Sequence, residues 1–76
     1  MNDIKRLPNF IENWSIETAW DGNLVVYGEI YNDSKGRFSD GSHIRTSAVQ
    51  SIDFVKKIVK TRNSEYNLGR KVGYKN

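Results

Sequence analysis

His43 is the side chain of this sequence best suited to proton transfer near neutral pH, since the chain has one histidine and no cysteine. Asp40, Ser42 and Ser47 lie close to it along the chain, and these residue types form nucleophile–base–carboxylate triads. A triad also needs its nucleophile on an exposed bend among oxyanion donors, and no such pattern surrounds either serine. Because aspartate and serine commonly form turns, we interpret Asp40 and Ser42 as turn residues and predict that the protein is not an enzyme.

The sequence contains no pattern typical of a metal or cofactor site. One histidine and no cysteine exclude the usual zinc ligand sets within one chain. Asp33, Asp40 and Asp53 supply carboxylates, but they lack the dense oxygen-ligand spacing of a calcium loop. The six glycines are scattered, so no glycine-rich phosphate loop is present. We therefore predict no cofactor and no bound metal.

Basic residues are concentrated in the second half of the chain. Residues 1–38 contain four lysines or arginines and six carboxylates, a net charge of −2, whereas residues 39–76 contain eight and three, a net charge of +5. Such an asymmetry can indicate contact with nucleic acid or an acidic protein, although small sheets also carry lysines to prevent aggregation. The predicted basic patch consists of Lys56, Lys57, Lys60, Arg62, Arg70 and Lys71.

A β-hairpin is predicted between residues 14 and 31, with Asp21-Gly22 in its turn. Residues 14–20 alternate with period two, and residues 23–31 (NLVVYGEIY) are rich in β-branched and aromatic side chains. A three-residue loop would pair Trp14 with Ile30 and Trp20 with Leu24 on one buried face. The pairing that buries the most apolar side chains usually sets the register of a hairpin. We therefore prefer this pairing to that of a two-residue loop, and we predict both tryptophans in the core.

The same register turns the alternate side chains of the predicted strand over residues 23–31 outward, away from the predicted core. Tyrosine is enriched at interfaces, so we predict a partner-binding surface there. A second layer of the fold, the N-terminal arm or a homodimer could cover these side chains instead. The predicted surface consists of Val25, Tyr27, Glu29 and Tyr31.

Residues 44–62 allow two interpretations. Apolar residues recur there at spacings of four, three and four, which would give an α+β fold with one helix over 48–61. The same residues also alternate as in strands, and residues 61–66 predict a hairpin with Asn63-Ser64 as its loop. We favour the strands and predict an all-β fold, a small antiparallel sheet or barrel of about five strands.

The length of 76 residues indicates one domain. We divide it into an N-terminal arm (1–12), a β-rich core (13–69) and a basic tail (70–76). The lack of cysteine favours a reducing compartment, and no apolar run approaches the ~20 residues that span a bilayer. We therefore expect a cytoplasmic protein without a membrane partner.

Two short motifs of turn and strand residues lie in the second half. Residues 38–47 (FSDGSHIRTS) fit the pattern F-x-D-G-x-x-I-x-T-S, and residues 61–69 (TRNSEYNLG) fit T-x-x-S-x-Y-x-L-G. In these motifs the chain resembles a group of small uncharacterised proteins of phages and bacteria, over about residues 14–69. The resemblance implies a phage accessory protein in the host cytoplasm and favours the β interpretation of residues 44–62, but it implies no particular chemistry.

We therefore expect a non-catalytic interaction protein with a protein partner, which the resemblance specifies as a phage protein that binds and inhibits a host or host-defence factor. Two alternatives stay open. The basic residues and the tyrosines could form a small nucleic-acid-binding module. A homo-oligomer could instead hold a nucleotide-type ligand between its subunits.

Overall fold

The computed structural model describes residues 7–73, and its regular secondary structure within that range consists of strands. They form one six-stranded sheet in the order β3-β2-β1-β6-β5-β4. The predicted all-β class is therefore confirmed, and the residues of the alternative helix form strands and a turn instead. The strands are β1 (Phe10–Thr18), β2 (Leu24–Tyr31), β3 (Ser42–Arg45), β4 (Val49–Asp53), β5 (Ile58–Thr61) and β6 (Glu65–Leu68).

The sheet is mixed rather than purely antiparallel, because β1 has a parallel neighbour. β1 pairs antiparallel with β2 and parallel with β6, where Phe10 lies opposite Asn67 and Ile11 opposite Leu68. The other pairs are antiparallel. β3 and β4 are the edge strands, so the sheet does not close into a barrel. β4 nevertheless contacts β2, and Thr46 donates its backbone N–H to the carbonyl of Val26 at 2.9 Å.

The core lies on the face of the sheet that carries Ile11. Gly28 of β2 lies so close to β1 that an added Cβ would meet the Ile11 side chain and the Glu12 carbonyl, so this close approach requires glycine. Phe10 is buried on the other face of β1, where its ring packs against Tyr31 at a centroid distance of 6.4 Å. The core cluster consists of Ile11, Trp14, Val26, Ile30, Ile44, Val59, Tyr66 and Leu68.

The register predicted for the first hairpin is wrong. Thr18 lies opposite Leu24, and Ile30 lies opposite Ile11 rather than Trp14. The physical reason is the turn: the N–H of Gly22 donates to the carbonyl of Ala19 at 2.9 Å, which makes residues 19–22 a β-turn with glycine at its last position. Trp20 therefore sits at the corner of a loop and not in a paired strand.

The two tryptophans consequently have opposite environments. Trp14 is buried as predicted, and its indole N–H donates to the carbonyl of Gly69 at 2.9 Å. Trp20 is 95% exposed, so its predicted place in the core is wrong. A register shift between Glu12 and Ser15, with Asn13 at a φ of 53°, lets β1 carry Trp14 into the core without the predicted pairing.

The second predicted hairpin forms, with its register shifted by two residues. Val59 lies opposite Tyr66 and Lys60 opposite Glu65. The N–H of Thr61 donates to the carbonyl of Ser64 at 2.8 Å, so the loop is Arg62-Asn63 rather than Asn63-Ser64. Because the side-chain period of a strand is two, a register shift of two residues does not move any side chain to the other face of the sheet.

The predicted arm and tail differ from the observed chain. β1 begins at Phe10, so Phe10, Ile11 and Glu12 belong to the sheet and are buried. At the other end Lys71 forms a parallel bridge with Trp14, and the N–H of Val72 donates to the carbonyl of Trp14 at 2.7 Å. Residues 1–6 and 74–76 of the predicted arm and tail lie outside the described residues.

Candidate binding surface

The aspartate and the two serines of the hypothetical triad each have a structural hydrogen bond. Asp40 accepts the N–H of Asn32 at 2.8 Å. The Ser42 hydroxyl lies 3.3 Å from that of Ser39. The Ser47 hydroxyl accepts the N–H of Asn63 at 3.3 Å. These contacts explain the aspartate and the serines as turn and loop residues.

The predicted partner-binding surface on β2 is only partly exposed. Tyr27 is 39% exposed, whereas Val25 is 5% exposed and therefore does not project from this surface as the register predicted. Tyr31 is half-buried against Phe10, and Glu29 is half-buried with its carboxylate 3.3 Å from the Asn13 amide nitrogen. Of the four predicted contact residues, Tyr27 therefore offers the largest exposed side chain.

The predicted basic patch divides into separate places. Lys56 and Lys60 line one depression. Lys57 lies in the β4–β5 turn, and its backbone carbonyl accepts the N–H of Leu68 at 2.8 Å. Arg62 lies in the β5–β6 loop and lines a different cleft.

The remaining two predicted cations follow β6, and Arg70 is held by a buried carboxylate. Glu12 accepts the backbone N–H of Arg70 at 2.7 Å, and its other oxygen lies 3.4 Å from the guanidinium. Lys71 is bridged to Trp14 in β1. Of the six cations, Lys56 and Lys60 thus share one depression, Arg62 lines another cleft, and Arg70 and Lys71 contact β1.

A cleft of about 210 Å³ lies at the β1–β2 loop, and we call it the Trp20 cleft. It brings together the first hairpin loop, the end of β3 with the segment that follows it, and the β5–β6 loop, which are distant in sequence. Among its lining residues, Arg45 and Arg62 are exposed cations, and Val25 is buried. The lining residues are Ala19, Trp20, Asp21, Asn23, Val25, Arg45, Thr46, Ser47, Ala48 and Arg62.

The loop that carries Trp20 is held by its own hydrogen bonds. The N–H of Ala19 donates to the carbonyl of Asn23 at 2.7 Å. Asp21 accepts the backbone N–H and the side-chain amide of Asn23, each at 3.1 Å. These hydrogen bonds, with a smaller contribution from the charge of Arg62, lower the pKa of Asp21 below its ordinary value. The loop is therefore ordered although Trp20 itself faces solvent.

Sequence reasoning missed Trp20 and Arg45 as surface residues. The signal was present in residues 19–22 (AWDG), because a glycine at the fourth position predicts a β-turn with tryptophan and aspartate in its centre. Arg45 lies opposite Tyr27 in the register of β2 and β3. Directly opposite residues share a face of the sheet, so Arg45 connects the Trp20 cleft with Tyr27.

The two sequence motifs hold the fold together. Gly41 has a φ of 87° and donates its N–H to the carbonyl of Ile30 at 2.7 Å. Thr46 accepts the N–H of Val26 at its hydroxyl at 3.0 Å. An added Cβ on Gly69 would meet Phe10 and the Glu12 carboxylate. The motif residues thus have structural contacts of their own, and the exposed Trp20 and Tyr27 lie outside both motifs.

The β2–β3 loop is organised around one carboxylate. Asp33 accepts the backbone N–H groups of Arg37 and Phe38 at 2.8 and 3.1 Å. Desolvation opposes ionisation of Asp33, but these hydrogen bonds and the Arg37 guanidinium outweigh it, so its pKa is lowered. Tyr66 and the Asp33 carboxylate raise the pKa of the Arg37 guanidinium above its ordinary value, although desolvation opposes this shift.

Residues 7–73 contain no group of three or more histidines, cysteines, aspartates or glutamates placed to hold a metal ion. A helix of the length and apolarity needed to cross a membrane does not occur in that range either. Comparisons of the chain with protein-family models, with curated proteins and with solved structures gave no match.

Proposed function

We propose that the protein is a non-catalytic interaction protein whose contact surface is the Trp20 cleft together with Tyr27. The observation that carries this proposal is the 95% exposure of Trp20. An indole held in water leaves its apolar surface available to a partner, and its burial there would be favourable. Tryptophan, tyrosine and arginine are prominent where single residues dominate binding energy, and Trp20, Tyr27 and Arg45 supply one of each.

The rigidity of the loop supports this proposal. Binding loses free energy when contact residues must be ordered, and the hydrogen bonds of Asp21, Ala19 and Asn23 already order the loop before contact. Trp20 is thus presented on a preformed turn, and Val25 lies at the floor of the same cleft.

The dimensions of the cleft favour a partner that lies across it. Its volume of about 210 Å³ is below the ~300–1,000 Å³ typical of pockets that enclose a small ligand. A macromolecular segment that contacts Trp20 and extends toward Tyr27 fits a cleft of this size better than a nucleotide-type ligand enclosed within one chain does.

The sequence motifs add a biological setting to the proposal. We infer from the resemblance that the protein acts as a phage accessory protein in the host cytoplasm. In this role, occupation of the contact surface would block a host or host-defence factor.

Affinity capture from a bacterial lysate tests the proposal. Trp20→Ala and Tyr27→Ala should each reduce the recovery of the captured macromolecule at least about tenfold, which corresponds to about 1.4 kcal/mol of binding free energy. Mass spectrometry and nuclease treatment identify the captured species, and circular dichroism checks the fold of each variant.

Val55→Ala is the matched control, because Val55 is 93% exposed in the β4–β5 turn and lies outside the contact surface. It should capture as much as the unmodified protein. Full capture by folded Trp20→Ala, or an equal loss in Val55→Ala, would refute the proposed surface.

A further inference from the structure

The Trp20 cleft combines an exposed aromatic ring with two arginines. Arg45 comes from the end of β3, and Arg62 comes from the loop between β5 and β6. Arg45 makes no salt bridge within the described part of the chain. Two guanidinium groups beside one indole are therefore available to an anionic partner.

The lining of the Trp20 cleft is more polar than is usual at the water-free centre of a protein–protein interface. The centres of protein–protein interfaces are enriched in aromatic residues and arginine, but they are depleted in aspartate, serine and alanine, which this lining contains. Here Trp20 is bordered by Asp21, Asn23 and the two arginines, and Val25 is the one large aliphatic side chain of the lining. A partner that itself alternates flat rings with charges matches this surface better than an apolar protein face.

Single-stranded nucleic acid has that chemistry. Its bases stack on exposed aromatic rings, and its phosphates bind arginine through paired N–H groups. The net charge of +5 over residues 39–76 supplies a long-range attraction for a polyanion. The lowered pKa of Asp21 keeps its carboxylate ionised, so it opposes this attraction with one negative charge against the two positive charges of Arg45 and Arg62.

We infer that the partner of the Trp20 cleft is a single-stranded nucleic acid, with one base stacked on Trp20 and neighbouring phosphates on Arg45 and Arg62. This inference rests on the proposed function, because it assigns a partner to the same surface. It differs from the basic patch predicted from sequence, of which it uses Arg62 alone.

The test is a titration of the full chain with a fluorescein-labelled oligothymidylate of about 15 nucleotides, a length within the range that small binding folds cover. Fluorescence anisotropy gives the affinity, and quenching of the tryptophan emission reports stacking. The unmodified protein should bind at low salt. Trp20→Ala should weaken binding roughly 5- to 150-fold, the equivalent of one stacked base at about 1–3 kcal/mol.

Salt dependence tests the phosphate contacts. Arg45→Gln and Arg62→Gln should each reduce the slope of log affinity against log salt by about 0.7, the value for one phosphate on a single strand. Lys56→Gln is the matched control, since Lys56 is an exposed cation that lines another depression. It should leave both the slope and the quenching unchanged.

Three outcomes of the oligonucleotide titrations would overturn the inference. They are the absence of oligonucleotide binding by the unmodified protein at low salt, equal affinity in folded Trp20→Ala, and a larger effect of Lys56→Gln than of the two arginine variants. Nuclease-resistant capture of a protein that Trp20→Ala loses would also overturn it, while leaving the proposed contact surface intact. Failure of the surface itself would appear as undiminished lysate capture by Trp20→Ala.

Discussion

At the scale of single residues, this chain uses its polar side chains mainly to fix loops. Asp33 organises the β2–β3 loop, Asp21 and Asn23 fix the loop of Trp20, and Glu12 fixes the segment after β6. The three carboxylates each accept a backbone N–H, and the Asn23 amide donates to Asp21, which explains why polar residues are placed there.

Asp33 should make stability depend on pH. Its pKa is lower in the folded protein than its ordinary value of 3.8, so the unfolded chain binds the proton more tightly. The contribution of Asp33 is complete above the ordinary pKa and is lost as the pH falls through the folded pKa. We expect Asp33→Asn to lower the melting temperature at pH 7, and the difference from the unmodified protein to shrink below about pH 4.

Thermal melts followed by circular dichroism at neutral and acidic pH measure this effect. Glu17→Gln is the control, because Glu17 is exposed near the end of β1. A difference between Asp33→Asn and the unmodified protein that persists unchanged below the folded pKa would contradict the assigned role.

At the scale of elements, the two tryptophans of β1 and its loop should respond oppositely to truncation. Trp14→Ala removes a core ring and its hydrogen bond to Gly69, and should destabilise the fold by about 3–5 kcal/mol. Trp20→Ala removes a ring that faces solvent, so the free energy of unfolding of this variant should stay within about 0.5 kcal/mol of that of the unmodified protein. Urea unfolding of the pair measures both values, and comparable losses in the two variants would show that the observed register is wrong.

The same hairpin shows what a sequence pattern predicts and what it does not. Alternation in residues 14–20 and 23–31 predicted two strands correctly, because period two is a local property. The predicted three-residue loop has the observed length but lies one residue too far along the chain, because the preference for burying Trp20 selected a pairing that the turn at Gly22 does not allow. The positions of Arg70 and Lys71 beside β1 were not predictable in the same way, because the parallel pairing of β1 with β6 is a long-range choice that no local pattern specifies.

At the scale of the whole molecule, an open sheet is held in shape by the segment between β3 and β4. The Thr46 hydroxyl accepts the buried N–H of Val26 at 3.0 Å and donates to the carbonyl of Ser47 at 2.8 Å. The N–H of Arg62 donates to the carbonyl of Ala48 at 3.0 Å. These bonds link β2 to the β4–β5 side of the sheet without a continuous ladder.

Thr46→Val should weaken this link. Valine has nearly the same shape but no acceptor, so the Val26 N–H loses its partner at a cost of about 1–3 kcal/mol. Urea unfolding measures the loss, and hydrogen exchange should be faster at the Val26 amide. Thr18→Val, at an exposed position at the end of β1, is the control. Equal stability of the two variants would mean that the link does not hold the sheet.

The parallel pairing of β1 with β6 also determines when the chain can fold during its synthesis. Phe10 and Asn67 are neighbours in the sheet but about 57 residues apart in sequence, and pairings of such separation form slowly. Until the ribosome has added β6, the strand destined for the centre of the sheet has an unpaired edge, and such edges recruit other chains. Nascent chains that stop before Leu68 should therefore aggregate, and the addition of β6, which pairs with the open edge of β1, should suppress this aggregation.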